Sequence, residues 1–136
     1  MQAVIQYGPP ISLEKAQLLA AAAAAEASRN GWAMAIAVVD STSHLVLMHR
    51  MDHTQHASIA VAQAKAKTAI DFKRSTKVFE DAVAQGGIGL RMLGVAEVCP
   101  LEGGVPIIED GKLVGAIGIS GALAQQDGVV AAAALA

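Results

Sequence analysis

The stretch VPIIEDGKLVGAIGIS, residues 105–120, constrains the fold of this chain more than any other. Two apolar runs meet at Asp110-Gly111. That pair readily takes the positive φ values that a type I′ turn demands at both central positions. A link so short returns the second run antiparallel to the first, whereas a parallel pair needs a crossover of a dozen or more residues. The chain is therefore predicted to build its sheet from hairpins flanked by helices, an α+β domain.

A second hairpin lies upstream. In WAMAIAVVD (32–40), Met34, Ile36 and Val38 point one way and Ala33, Ala35 and Ala37 the other. Both sets are apolar, which predicts a strand covered on both faces. DSTSH turns the chain, and LVLMHRM (45–51) returns. The stretch LEKAQLLAAAAAAEASRNG has high helix propensity. Ser12 stands as its N-cap and Asn30-Gly31 as its stop. Its many alanines imply close approach to a neighbouring surface. A helix over about Gln55–Phe72 places Ile59, Ala62, Ala66 and Ile70 on one face, with Ser58, Ala62, Lys65 and Ala69 on the next stripe. Shorter helices follow at 75–85 and 125–135, the last with Asp127 in its first turn, where the helix dipole favours a carboxylate. Residues 85–104 read as a Gly-rich loop with a short strand near Val95–Cys99. The expected order is α-β-β-α-α-β-β-β-α in one domain, 1–136.

Composition removes several function classes. An apolar content of 54% excludes a disordered chain. A net charge of −2, with only Phe72 flanked by basic residues, gives no case for nucleic acid as a partner. No basic, apolar leader is visible, and the uncharged run Ala16–Ala25 is about half a membrane span. A cytoplasmic protein without a membrane partner is expected. The single cysteine, Cys99, has no base near it in sequence and reads as an inert buried thiol.

The four histidines, His44, His49, His53 and His56, fall within thirteen residues. They straddle a strand end, a loop and a helix start, so their side chains need not converge, and no metal site is predicted. A solvated loop capping the next helix, or an axial-ligand or acid–base role for one imidazole, both fit. Arg50 and Asp52 could pair with each other; Asp52 or Thr54 could cap the following helix; Arg50 could anchor a carboxylate through its two-pronged fork. Lys65 could snorkel to water. If buried, it needs a carboxylate partner or a ligand. Gly103, Gly104, Gly115 and Gly118 lack the setting of a phosphate cradle. Within or beside strands they argue for a bare sheet surface or a tight subunit contact.

In order along the chain, ISLEKAQ, IAVVDSTSHLV, HRMD, ASIAVAQAKAKTA, GGVPI and DGKLVGAIGISG followed by QQD resemble the GlcG/HbpS-like domain family, often labelled haem-degrading. The C-terminal domain of PduO-type corrinoid adenosyltransferases belongs to the same family. The resemblance implies a profilin-like, five-stranded antiparallel sheet, assembly into homo-oligomers, and haem as a bound and slowly degraded ligand in some members. The matching residues are Arg50, Met51, Asp52, Ser58, Lys65, Thr68, Gly103, Gly104, Pro106, Gly118, Ser120, Gly121 and Asp127. Of these, Arg50, Asp52, Ser58, Lys65, Gly103, Gly104, Gly118, Ser120 and Gly121, together with His53, form the expected ligand site. A haem ligand is sought among His49, His53 and His56. The family commonly has Gly-Ala after Met-Asp, where this chain has His53-Thr54. Binding of a small ligand such as haem leads. An enzyme acting on a small carboxylate or carbonyl metabolite, and a non-catalytic assembly module, are the alternatives.

Overall fold

The computed structural model describes residues 4–136. The elements are α1 (Leu13–Arg29), β1 (Ala35–Asp40), β2 (Leu45–Arg50), α2 (Ala57–Phe72), α3 (Lys77–Gln85), a 3-10 helix (Gly87–Gly94), β3 (Gly104–Glu109), β4 (Lys112–Ser120) and α4 (Ala124–Leu135). Both predicted hairpins form. They join through β1 and β4 into an antiparallel sheet of order β2-β1-β4-β3. Asp110 and Gly111 take φ values of 50° and 75°, the positive pair that a type I′ turn requires.

Among the described residues the sheet has four strands, not the five expected. Residues 95–99 are not a strand. Glu97 has φ 66°, which breaks an extended run. The Cys99 N–H is taken by the Thr68 hydroxyl oxygen at 3.0 Å, and that hydroxyl lies 3.3 Å from the Glu97 carbonyl. A side chain of α2 thus occupies backbone groups that a fifth strand would offer to a neighbour. The expected Gly-rich loop before it coils into the 3-10 helix.

The sheet is covered on both faces, as the alternation in β1 predicted. Ile36, Val38, Ile117 and Ile119 pack under α1 and α4 with Leu19, Ala20, Ala23, Val130 and Ala131. Ala35, Ala37 and Ala116 lie under α2 against Ala62, Ala66, Ala69 and Ile70. Each fully buried Ile or Val contributes about 1.5–3 kcal/mol relative to exposure. The alanine face serves proximity instead of bulk. A Cβ built on Gly118 would stand 2.0 Å from the Ala62 carbonyl oxygen, so α2 lies on β4 backbone to backbone. The strand glycines therefore mark close approach within the chain: Gly104 and Gly118 face the backbone of α2, and Gly115 faces the Val39 carbonyl and Ile11. No helix among the described residues is long and apolar enough to cross a membrane.

The β1–β2 turn hangs on Asp40. Its carboxylate accepts from the Thr42 N–H at 2.8 Å, the Thr42 hydroxyl at 2.7 Å and the His44 N–H at 3.2 Å. Burial acts to raise the Asp40 pKa, but these hydrogen bonds outweigh it and hold the group below its ordinary 3.8. A depressed pKa contributes stability above the unfolded value that disappears as pH falls through the folded one. Asp40→Ala is expected to cost about 0.5–1 kcal/mol at neutral pH, allowing for solvent screening. Urea unfolding at stepped pH should show the gap from wild type closing as the solution is acidified below the ordinary aspartate range.

Candidate functional site

One end of the sheet gathers most of the expected site residues. Ala35 pairs with Arg50 on one side and Ser120 on the other, and Gly104 pairs with Gly118. β2 and β4 therefore finish where β1 and β3 begin. After Arg50 the chain makes a tight turn. The Met51 N–H donates to the Met34 carbonyl at 3.0 Å, and the Met51 carbonyl accepts from the Thr54 N–H at 3.3 Å and the Thr54 hydroxyl at 2.7 Å. His53 is the third residue of that turn and has φ 70°. Glycine suits such a position, while an L side chain is strained there by about 1–2 kcal/mol.

Two hollows adjoin at this turn. One, of 290 Å³, is lined by Arg50, Met51, Asp52, His53, Thr54 and His56. The other, an open groove of 590 Å³, shares Arg50, Met51 and Asp52 and extends over Trp32 toward α1. Together they form a ledge with two imidazoles at one end and an indole at the other.

The histidines divide by position. His44 lies at the far end of β2, its Nδ1 2.7 Å from the Thr42 hydroxyl. His49 pairs with Ile36 and so points to the α1/α4 face, whereas Arg50 pairs with Ala35. Only His53 and His56 line the smaller hollow. Among the described residues, no group of three or more His, Cys, Asp or Glu side chains is placed to hold a metal ion. Arg50 and Asp52 are exposed and form no mutual ion pair among the described residues. Neither Asp52 nor Thr54 caps α2, whose N-cap is His56 without a side-chain hydrogen bond.

Beneath the ledge lies a buried polar layer. Gln55 donates to the Ser58 hydroxyl oxygen at 2.9 Å, and the Ser120 hydroxyl donates to the same atom at 3.2 Å. This chain of contacts joins the loop to the interior. Further in, Lys65 is 1% exposed and does not snorkel. Its Nζ donates to the Ile119 carbonyl at 2.8 Å and to Asp127 Oδ2 at 2.9 Å. The other Asp127 oxygen accepts from the Ala122 N–H at 3.0 Å. Burial pushes the Asp127 carboxyl up, and the Lys65 ammonium and backbone N–H groups pull against that rise. Two glycines make room for Lys65, one at its ammonium and one at its backbone. A Cβ on Gly103, which has φ 132°, would stand 2.8 Å from Lys65 Nζ; one on Gly104 would stand 2.4 Å from the Lys65 carbonyl oxygen. Thr76 closes the layer by accepting from the Gly104 N–H at 2.9 Å. At Gly121 a Cβ would meet the Ala33 carbonyl oxygen at 2.3 Å, so this glycine serves the junction with β1.

The expected site thus splits in two. Arg50, Asp52 and His53 sit on the ledge; Ser58, Lys65, Gly103, Gly104, Gly118 and Ser120 lie within. Sequence reasoning gave a buried Lys65 either a carboxylate partner or a ligand but did not identify Asp127, 62 residues away, having read it as a helix-dipole partner. Its presence among the family-matching residues was the available signal. Trp32 had no signal beyond being the only tryptophan. Cys99 is half-buried, and burial pushes its thiol pKa up, with Lys65 opposing, which fits an inert thiol.

A family model described as haem degrading protein HbpS-like matches residues 11–136. Protein GlcG of Escherichia coli K12 is 38% identical over 110 residues, covering 81% of each chain. The crystal structure of Klebsiella pneumoniae protein ORFY superposes with a TM-score of 0.86 at 31% identity, over 99% of this chain and 94% of that one. The crystal structure of a PduOC:Heme complex superposes with a TM-score of 0.83 at 28% identity, over 93% of each chain.

Proposed function

The chain belongs to the HbpS-like family, and from that premise we propose that it binds haem, or a related flat tetrapyrrole, on the Arg50–His56 ledge. The observation that carries this reading is the pair of adjoining hollows, with His53 and His56 in one, Trp32 in the other and Arg50 common to both. Each group suits part of such a ligand. A neutral imidazole can ligate iron. The Arg50 fork matches a carboxylate substituent, and the Trp32 indole offers an apolar surface. The similarity to the PduOC:Heme complex supports the reading. Haem degradation is carried by the family description alone; the open ledge supports binding.

His53 is the sharpest probe. Its backbone is held where glycine is favoured, and strain at one residue is a pointer to function. His53→Gly is expected to raise stability by about 1 kcal/mol through relief of that strain. It should also weaken hemin affinity by roughly tenfold or more through loss of a ligand. Hemin titration followed at the Soret band, beside urea unfolding, reads both. The absence of a saturable Soret change rejects the reading. A change that persists with all four histidines replaced by alanine rejects ligation by histidine.

The Arg50 guanidinium, without an ion-pair partner among the described residues, supports a second reading, an enzyme acting on a small carboxylate, with His53 moving a proton. A thermal-shift screen of organic acids on wild type and Arg50→Ala separates the two. An Arg50-dependent rise in melting temperature without a Soret change favours the acid.

A further inference from the structure

We infer that Thr54 is the positioning residue for His53: its hydroxyl keeps closed the turn that carries the imidazole into the smaller hollow. The effect on ligand binding rests on the haem reading; the effect on folding rests on geometry alone.

Thr54 is only 8% exposed, and its hydroxyl does not cap α2. It turns back instead and donates to the Met51 carbonyl at 2.7 Å, the same oxygen that the Thr54 N–H reaches at 3.3 Å. The backbone bond is long, since N–H donors usually sit within about 3.2 Å of an oxygen. The hydroxyl bond has the ordinary O–H···O length. A side chain therefore makes the better of the two bonds that close Met51–Thr54.

His53 is the residue that needs this closure. Its φ is 70° and that of Asp52 is not positive, the pattern of a type II turn, which favours glycine at its third position. A histidine stays in such a conformation only where its surroundings hold it. Opening the turn would let His53 return to the negative φ that L residues prefer and would take its imidazole from the hollow. The flanking chain is fixed and cannot share the relaxation. Upstream, the Met51 N–H is bonded to the Met34 carbonyl at 3.0 Å. Downstream, the Gln55 amide donates to the buried Ser58 hydroxyl oxygen at 2.9 Å, and the Ser58 N–H to the Gln55 carbonyl at 3.2 Å. The strain is thus confined to Met51–Thr54, with the Thr54 hydroxyl as its tie. His56 differs: its φ of −60° and ψ of −40° are helical, so its placement does not depend on Thr54.

Thr54→Val removes the hydroxyl and nearly keeps the shape, while Thr54→Ser keeps the hydroxyl. Each is placed in wild type and in His53→Gly, which makes two double-mutant cycles. In urea unfolding without ligand, Thr54→Val should raise the unfolding equilibrium constant about fivefold in His53→Gly, the loss of one hydrogen bond. In wild type the rise should be about twofold or less, because the released turn also releases the strain at His53. In hemin titration at the Soret band, Thr54→Val should weaken wild-type affinity about tenfold and leave that of His53→Gly unchanged, and Thr54→Ser should keep wild-type affinity. Equal unfolding costs of Thr54→Val in the two backgrounds overturn the inference whether or not hemin binds. Equal losses of hemin affinity in the two, the mark of a merely structural role, also overturn it, as does a Thr54→Ser variant as weak as Thr54→Val. A wild type without a saturable Soret change rejects the haem reading, and the unfolding cycle then decides the role of Thr54 by itself.

Discussion

Lys65→Met is expected to destabilise the protein by about 3–5 kcal/mol, because it strands a buried carboxylate without its counter-charge. Methionine nearly replaces the side-chain volume, so packing loss is a small part of the effect. The stranded group is Asp127, whose side chain is 3% exposed, against 1% for Lys65. Removing the ammonium also takes the donor from the Ile119 carbonyl, so one change loosens contacts among α2, β4 and α4. Adding Asp127→Asn should recover a large part of the loss: it removes the charge and keeps an acceptor for the Ala122 N–H. Urea midpoints of wild type, Lys65→Met and the double variant decide the matter. A single variant within about 1 kcal/mol of wild type, or a double no better than the single, would show that the pair does not hold these elements together.

Gly118→Ala should cost about 3 kcal/mol or more, the upper end of overpacking penalties. The added Cβ would face the Ala62 carbonyl oxygen at 2.0 Å and the Ala66 nitrogen at 2.7 Å. Both are backbone atoms of a helix, so no rotamer change relieves the contact and α2 must lift from the sheet. That movement would reach the ledge, since α2 starts just after His56 and Ser58 bonds Ser120 across the same interface. Gly94→Ala is the control: its added methyl meets nothing within 4 Å, and its stability should stay near that of wild type. Equal losses in the two variants would mean that the cost comes from replacing glycine and not from the helix contact.

Both hairpins and the helices were legible because their signals are local. Asp110-Gly111 carries its turn type in two residues, and the alternation over residues 33–38 carries the two faces of β1 in six. The fifth strand failed for a reason that lies outside its own residues. Val95–Cys99 has a strand's composition, but the Thr68 side chain occupies its backbone groups. The glycines were read correctly as sites of close approach but without their neighbours, since no spacing in β3 or β4 names α2 as the surface over Gly104 and Gly118, or Val39 and Ile11 as what meets Gly115.

The site follows the same division. The RMD segment and its neighbours pointed to the family, and with it to haem as a candidate ligand. His53 stood out in the sequence as a departure from the usual glycine; its φ of 70° supplies the physical reason that glycine suits the position. The sequence by itself determined the antiparallel α+β architecture, because local turn chemistry and hydrophobic period fix it, and its motifs pointed to the family by resemblance. Only the tertiary structure decided that Lys65 pairs with Asp127, that the histidines separate, and that Trp32 joins Arg50 and His53 on one ledge. Those facts depend on which distant backbones touch, and contact between residues far apart in the chain leaves no periodicity to read.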